Sequence, residues 1–253
     1  MIPKRIHYCN FGEMEQSPLL EFCRNSWLKY LPDYEIIEWN EHNFDIYTNR
    51  FVREAYKCKK YAFVSDYARC YALYWEGGIY LDTDVEVLKS FNDLLVHKSF
   101  IGLEDKDMVS TAVIAAEAGT DWLMDVMEYY NHRPFILGYM KWDNKANPAI
   151  ITPILKEKGL FNTNMDDHDE LVIYPVEYFC ANSYDNKNRP FPTHKTYCIH
   201  HFNASWTDNR RERHRNRWKR GFRRVFGRTL GELLVDYIFN SFPFIFPEKQ
   251  GKN

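Results

Sequence analysis

Residues 60–84 constrain the fold more than any other stretch of this chain. Phe63, Tyr67, Tyr71 and Tyr74 recur at spacings of three and four, with Ala62, Ala68 and Ala72 between them. That period and those helix formers predict a helix over 60–76. Gly77-Gly78 then ends it, because glycine accepts the left-handed conformation a helix terminus needs. Ile79-Tyr80-Leu81 reads as a short apolar strand, and it runs directly into Asp82-Thr83-Asp84. A strand that ends in two carboxylates places them at the carboxyl edge of a sheet, where α/β proteins bind nucleotides.

The flanking segments agree with a layered α/β domain. Residues 5–9 and 35–39 read as strands on either side of a helix over 18–30. Residues 85–87 continue extended. Strands are predicted over 100–103, 109–116, 171–175 and 197–201, with helices over 120–130 and 148–155. No internal repeat is evident, and no low-complexity linker precedes Asn209. A chain of 253 residues holds one substantial core and is too short for two ordinary enzyme domains. The expectation is therefore an α/β domain over 1–208 with a nucleotide at the carboxyl edge of its sheet, followed by a helical basic tail over 209–253.

Charge supports that division. Residues 210–253 carry twelve Lys and Arg against four Asp and Glu, whereas the whole chain has a formal charge of −2. Ten of the cations fall within 210–228, with Trp218, Phe222, Val225 and Phe226 among them at helical spacing. Residues 230–246 are apolar but broken by Glu232, Asp236 and Pro243. Such a composition points to helices lying on an anionic membrane surface, with residues 210–246 in contact; nucleic acid is not expected as the partner. No 18-residue apolar run is present, so no spanning helix is predicted, and the first residues lack the apolar stretch of a signal peptide. The six cysteines form no C-x-x-C pair, which argues against a zinc ribbon and for a reducing compartment. The Asn203-Ala204-Ser205 sequon is therefore read as chance.

Asp82 and Asp84 offer hard oxygen ligands of the kind that suit Mg2+ or Mn2+. On their own they are equally compatible with a solvated turn. Asp66 and Arg69 stand at i and i+3 on the preceding helix, on one face. They are either a surface ion pair or a pair that meets a sugar and its diphosphate.

Together these residues resemble a known pattern. Ser65-Asp66-Tyr67-Ala68-Arg69 followed by Gly77-Gly78-Ile79-Tyr80-Leu81-Asp82-Thr83-Asp84 is similar to the S-D-x-x-R … G-G-x-Y-x-D-x-D block of glycosyltransferase family 32. That family includes bacterial capsular polysaccharide sugar transferases and fungal mannosyltransferases, and the glucosylating clostridial toxins carry a similar block. Ile2-Pro3-Lys4-Arg5-Ile6-His7 resembles the family's opening, and His200-His201-Phe202-Asn203-Ala204-Ser205-Trp206 its close. The resemblance spans residues 2–206 in order.

It implies a GT-A-like, Rossmann-type fold and a retaining, metal-dependent transfer of a hexose from a nucleotide-sugar, with a UDP-sugar first in line. The acceptor would be a polysaccharide or a lipid-linked glycan at the cytoplasmic face of the membrane. Asp66 and Arg69 would hold the donor sugar. Asp82 would touch ribose or sugar and reach the metal through water; Asp84 and His200 would bind it directly, and an imidazole ligand favours Mn2+. His7, Tyr8, Ser65, Gly77, Gly78 and Tyr80 would contact the donor, with Ser205 and Trp206 closing over its diphosphate. Asn10 stands where the family often has a Trp that stacks on the base, so Tyr8 or Phe11 would have to substitute. Two other classes compete: a metal-dependent phosphohydrolase or nucleotidyltransferase, which has no need of Asp66 and Arg69, and a non-enzymatic membrane-binding module.

Overall fold

The computed structural model describes residues 1–12, 17–139, 141–163, 170–181 and 192–202. The expectations for Ser205, Trp206 and the tail from Asn209 onward lie outside these residues. In chain order the elements are β1 (Arg5–Cys9), α1 (Pro18–Tyr30), β2 (Glu35–Trp39), α2 (Arg50–Lys57), α3 (Tyr61–Glu76), β3 (Gly78–Leu81) and β4 (Val85–Val87). Then follow β5 (Ser99–Asp105), β6 (Met108–Ala116), α4 (Asp121–Asn131), β7 (Ile136–Gly138), β8 (Lys141–Trp142), α5 (Pro148–Glu157), β9 (Val172–Tyr174), α6 (Val176–Phe179) and β10 (Cys198–His200).

Six strands form one sheet in the order β2-β1-β3-β6-β5-β9. β1 is parallel to both β2 and β3, β5 is parallel to β9, and β6 alone runs against its neighbours. The carboxyl ends of β2, β1 and β3 therefore lie side by side at one edge. Side chains alternate between the two faces, as the pleat requires. Ile6, Tyr8, Ile79 and Leu81 face a core shared with Trp27 of α1 and Phe179 of α6. Cys9, Trp39 and Tyr80 face the other core, built with α2, α3, α4 and α5.

Two local devices shape the edge where the carboxylates stand. The first is the turn out of α3. Gly77 and Gly78 have φ of 63° and 117°, values that a side chain rarely tolerates. A Cβ on Gly78 would stand 2.8 Å from the Arg5 carbonyl oxygen, and one on Gly77 would meet the Ala118 backbone nitrogen at 2.9 Å. The second is the clamp of α1 on β4. Trp27 Nε1 donates to the Val85 carbonyl at 2.7 Å, and Ser26 Oγ accepts from the Val87 N–H at 2.9 Å. Both bonds are buried, each contributing about 1 kcal/mol net. They fix the chain immediately after Asp84.

Three features of the fold leave no clear mark in the sequence. α2 was not foreseen, although Asn49 caps it by accepting from the Val52 N–H at 2.9 Å. Its apolar positions Phe51, Val52 and Ala55 fill only one face of eight residues, too short for a clear period. The hairpin β7–β8 and the single-turn helix α6 were also unforeseen. They are short and lack a repeat of their own.

Candidate active site

Asp82 leaves β3 and is tied back to the sheet by its N–H, which donates to the Ala112 carbonyl at 2.9 Å. A turn follows, closed by the Val85 N–H on the Asp82 carbonyl at 3.0 Å. This turn brings Asp84 round beside Asp82. β10 pairs antiparallel with β4 and sets His200 opposite Val85, one residue past Asp84. His200 Nε2 lies 3.3 Å from Asp84 Oδ1 and 4.0 Å from Asp82 Oδ2. One ligand atom from each of the three residues falls within 4.8 Å of the others. Among the described residues this is the only group of three or more such side chains that could hold an ion.

Which histidine joins the pair follows from the strand. Adjacent side chains on β10 point to opposite faces, so His201 turns away and pairs instead with Glu86, at 3.0 Å. Burial alone would depress the His200 pKa, but the Asp84 carboxylate and its hydrogen bond, with Cys180 and Asp82, more than offset this and raise it well above the ordinary value. The ring of Phe202 packs over His200 with 3.8 Å between centroids.

Behind the carboxylates stands Arg69, 5% exposed. Its Nη2 lies 3.0 Å from Asp66 Oδ1 and 3.4 Å from Asp82 Oδ1. Nη1 donates to the Thr111 carbonyl at 2.6 Å, and Nε to the Ser65 carbonyl at 3.2 Å. The guanidinium also lies 4.5 Å over the Tyr80 ring. All three nitrogens are thus engaged inside the protein. In this geometry Arg69 fixes Asp82 and Asp66 from inside the protein and is not a solvated surface pair. Tyr80 serves the same carboxylate. It is 2% exposed, and its hydroxyl donates to Asp82 Oδ1 at 2.9 Å, so it acts through Asp82.

Asp66 is 9% exposed. Burial pushes its pKa up to about 6, partly countered by the charge of Arg69 and raised further by Asp82. Asn147, at the start of α5, donates to the Asp66 carbonyl at 2.9 Å. The Ser65 hydroxyl donates to the Tyr61 carbonyl one turn earlier at 3.2 Å, the ordinary use of a serine inside a helix.

His7 and the two glycines meet at the turn out of α3. His7 is fully buried. Its Nδ1 accepts from Trp39 Nε1 at 3.0 Å; an indole only donates, so the proton sits on Nε2, which donates to the Gly77 carbonyl at 2.7 Å. Gly77 and Gly78 are required by the close approach of β1 to the turn. These three residues hold the fold at the turn beneath the carboxylates. Tyr8 is nearly buried, and its hydroxyl donates to Glu38, which also accepts from Asn10 at 3.1 Å and Asn40 at 3.0 Å. The polar group at the ends of β1 and β2 is therefore built around Glu38, a residue the sequence reading missed. Only its place after an apolar pair in β2 could have signalled it. The Thr111 carbonyl was invisible for a different reason: backbone partners leave no mark in composition.

With this geometry in hand, comparison with known proteins is informative. Residues 18–101 match the family described as the glycosyltransferase sugar-binding region containing DXD motif. An uncharacterized protein of Arabidopsis thaliana, At4g19900, is 30% identical over 173 residues, covering 63% of this chain and 25% of that protein. The chain thus spans about a quarter of that relative's length. Among solved structures, the PaToxG glycosyltransferase superposes with a TM-score of 0.47 at 16% identity, covering 62% of this chain and 69% of that one. The galactosyltransferase LgtC, solved with donor and acceptor sugar analogs, gives 0.46 at 12% identity, covering 92% of this chain and 95% of that one. The α/β class expected from the sequence is the class this mixed, mostly parallel sheet displays.

Proposed function

This chain carries the sugar-binding region of the glycosyltransferases with a DXD motif and is family-32-like, and on that premise we propose that it moves a hexose from a nucleotide-sugar to a glycan or lipid-linked acceptor with retention of configuration. The observation that carries this reading is the convergence of Asp82, Asp84 and His200 at the carboxyl edge of the sheet. Two carboxylates and one imidazole suit Mn2+, or Mg2+ less well. Their atoms lie close enough to share one ion, and Asp84 and His200 attract each other strongly without it. An ion held there would neutralise charge on the departing nucleoside diphosphate.

The chain's own residues supply the rest. Arg69 and Tyr80 hold Asp82 at Oδ1, leaving Oδ2 toward His200. Asp66 presents the exposed edge of a buried carboxyl to the donor sugar, where it accepts hydroxyl protons. The burial of Arg69 and Asp66 keeps bulk water away from that side. The donor we assign is a UDP-sugar, and the tail over 210–246 would hold the enzyme on the inner face of an anionic membrane, beside a lipid-linked acceptor. A panel of nucleotide-sugars incubated with the full chain and Mn2+ tests the activity. One donor should lose its sugar to water or acceptor at a rate at least about tenfold above the others. No release from any donor, with the protein folded, would contradict the reading.

A further inference from the structure

Resting on the membrane placement proposed above, we propose that the β7–β8 hairpin is a second membrane contact, setting Leu137 and Tyr139 into the headgroup boundary of an anionic bilayer. Tyr139 is 97% exposed, Leu137 48% and Ile136 38%. Single exposed apolar side chains are ordinary on a protein surface; three within four residues at the tip of one hairpin are not scattered. The hairpin forms a two-stranded sheet of its own, apart from the six-stranded sheet.

The charge around the tip fits anionic headgroups. Lys141 on β8 and Lys145 just after it are exposed, as is Lys59. Lys60 Nζ lies 5.1 Å over the Trp142 ring. The neighbouring carboxylates are already engaged: Asp143 pairs with Arg133 at 2.8 Å, and Glu54 accepts from Arg50 at 2.6 Å and from the Ile136 N–H at 2.8 Å. An apolar tip ringed by lysines, with a tyrosine whose hydroxyl stays wet, is the chemistry of a membrane interface. A glycan would ask for polar partners that Ile136 and Leu137 do not offer. The three side chains expose a few hundred Å2, well short of the about 800 Å2 per partner that a stable interface with a second copy buries.

The hairpin also stands at the catalytic edge. α3 enters β3 through Gly77-Gly78 and runs back along it, so its first turns lie over the carboxyl end of that strand, where Arg69 meets Asp82. Lys60, beside Trp142, immediately precedes α3. Asp66 lies six residues further on, about 9 Å along the helix axis. Asn147, five residues after Trp142, donates to the Asp66 carbonyl at 2.9 Å. A hairpin held on the bilayer therefore turns the carboxylate edge toward an acceptor carried there. Two apolar side chains are too few to hold the chain alone, since firm attachment takes more than one signal. The hairpin orients a chain that is already attached.

The test places an environment-sensitive nitrobenzoxadiazole dye on the full chain carrying Tyr139→Cys, with dye-treated wild type as the control for the other cysteines. Vesicles of phosphatidylglycerol and phosphatidylcholine are added without metal or donor, so failure of the transferase reading leaves the result intact. The dye emission should rise and shift to the blue. In sedimentation with the same vesicles, Lys141→Gln and the pair Leu137→Ser with Tyr139→Ser should each bind about fivefold more weakly than wild type. Protein that sediments with vesicles while the dye stays unchanged overturns the hairpin contact and leaves the tail in place. Protein that does not sediment at all overturns both. A dye that answers to soluble maltoheptaose and not to vesicles makes the hairpin a glycan contact. A dimer that the paired serine substitutions dissolve makes it an interface between copies. Either result overturns the proposal.

Discussion

Arg69 Nη2 lies 3.4 Å from Asp82 Oδ1, so the first carboxylate of the Asp-x-Asp pair is anchored from inside the protein by a buried guanidinium. The same nitrogen holds Asp66 at 3.0 Å. Removing one member of a buried ionic group leaves the others uncompensated. Arg69→Ala should therefore cost about 3–5 kcal/mol of stability, read by urea unfolding. Arg69→Lys keeps a charge but not the fork that reaches Ser65, Thr111 and both carboxylates, so an intermediate loss is expected. If Arg69→Ala unfolds within about 1 kcal/mol of the wild type, the anchoring is not there.

Asp66 carries a stability cost with a definite pH dependence. Its carboxyl is raised from 3.8 in the unfolded chain to about 6 in the fold, chiefly by burial. A raised pKa means the folded state binds the proton more tightly. The contribution is complete below the unfolded value and is lost as pH rises through about 6. Asp66→Asn mimics the protonated form at every pH. Its stability relative to wild type should thus grow by up to about 3 kcal/mol as pH rises from below 3.8 to above about 6. Turnover should fall at the same time, because an amide cannot accept two sugar hydroxyls as a carboxylate does. Parallel melting curves for the two proteins at acid and neutral pH would count against this assignment.

His7 is expected to matter for folding and not for the donor. His7→Ala strands the Trp39 indole N–H and the Gly77 carbonyl and leaves a cavity. A loss of about 3 kcal/mol follows. The KM for donor in whatever fraction folds should stay within about twofold of wild type, well under a kcal/mol of lost binding. A normal melting temperature with a raised KM would return His7 to the donor site.

His200, the last residue of β10, and His201, just past it, should separate cleanly. His200→Ala removes a metal ligand and should weaken Mn2+ binding by at least about tenfold, whereas His201→Ala removes only the contact with Glu86 and should leave binding unchanged. Calorimetric Mn2+ titrations decide it. The reverse order would mean that the register of β10 is off by one.

A tail that binds membranes should show itself without chemistry. The full chain should sediment with vesicles rich in anionic lipid, and a chain ending at Asn209 should stay in the supernatant. Salt should weaken the attraction by screening the cations over 210–228. Equal sedimentation of both chains would remove the tail from this role.

Much of this was legible in the sequence because its signals were local. The aromatic period of α3, the Gly-Gly stop and the strand into Asp82 each depend on neighbours a few residues apart, and the observed α3 and β3 agree within a residue or so. Strand alternation lets only one of His200 and His201 face the carboxylates, and the family's spacing to Ser205-Trp206 pointed to His200. What sequence could not show was direction. Asp66 and Arg69 were paired correctly as one helix face, but whether that face met solvent or core depended on Thr111, more than forty residues away. The internal partners of His7 and Tyr80 were hidden for the same reason: the fold engages them with the backbone of Gly77 and with Asp82.

The central claim is that Asp82 and Asp84, with His200, hold a divalent ion on which donor use depends. The most direct measurement compares nucleoside diphosphate release from the preferred nucleotide-sugar by wild type and Asp84→Asn, each with Mn2+ and with excess EDTA. Wild type should be active only with Mn2+. Asp84→Asn should be folded, with turnover reduced by at least about a thousandfold, roughly 4 kcal/mol of lost transition-state stabilisation. Undiminished release by wild type in EDTA, or by Asp84→Asn in Mn2+, would contradict the account.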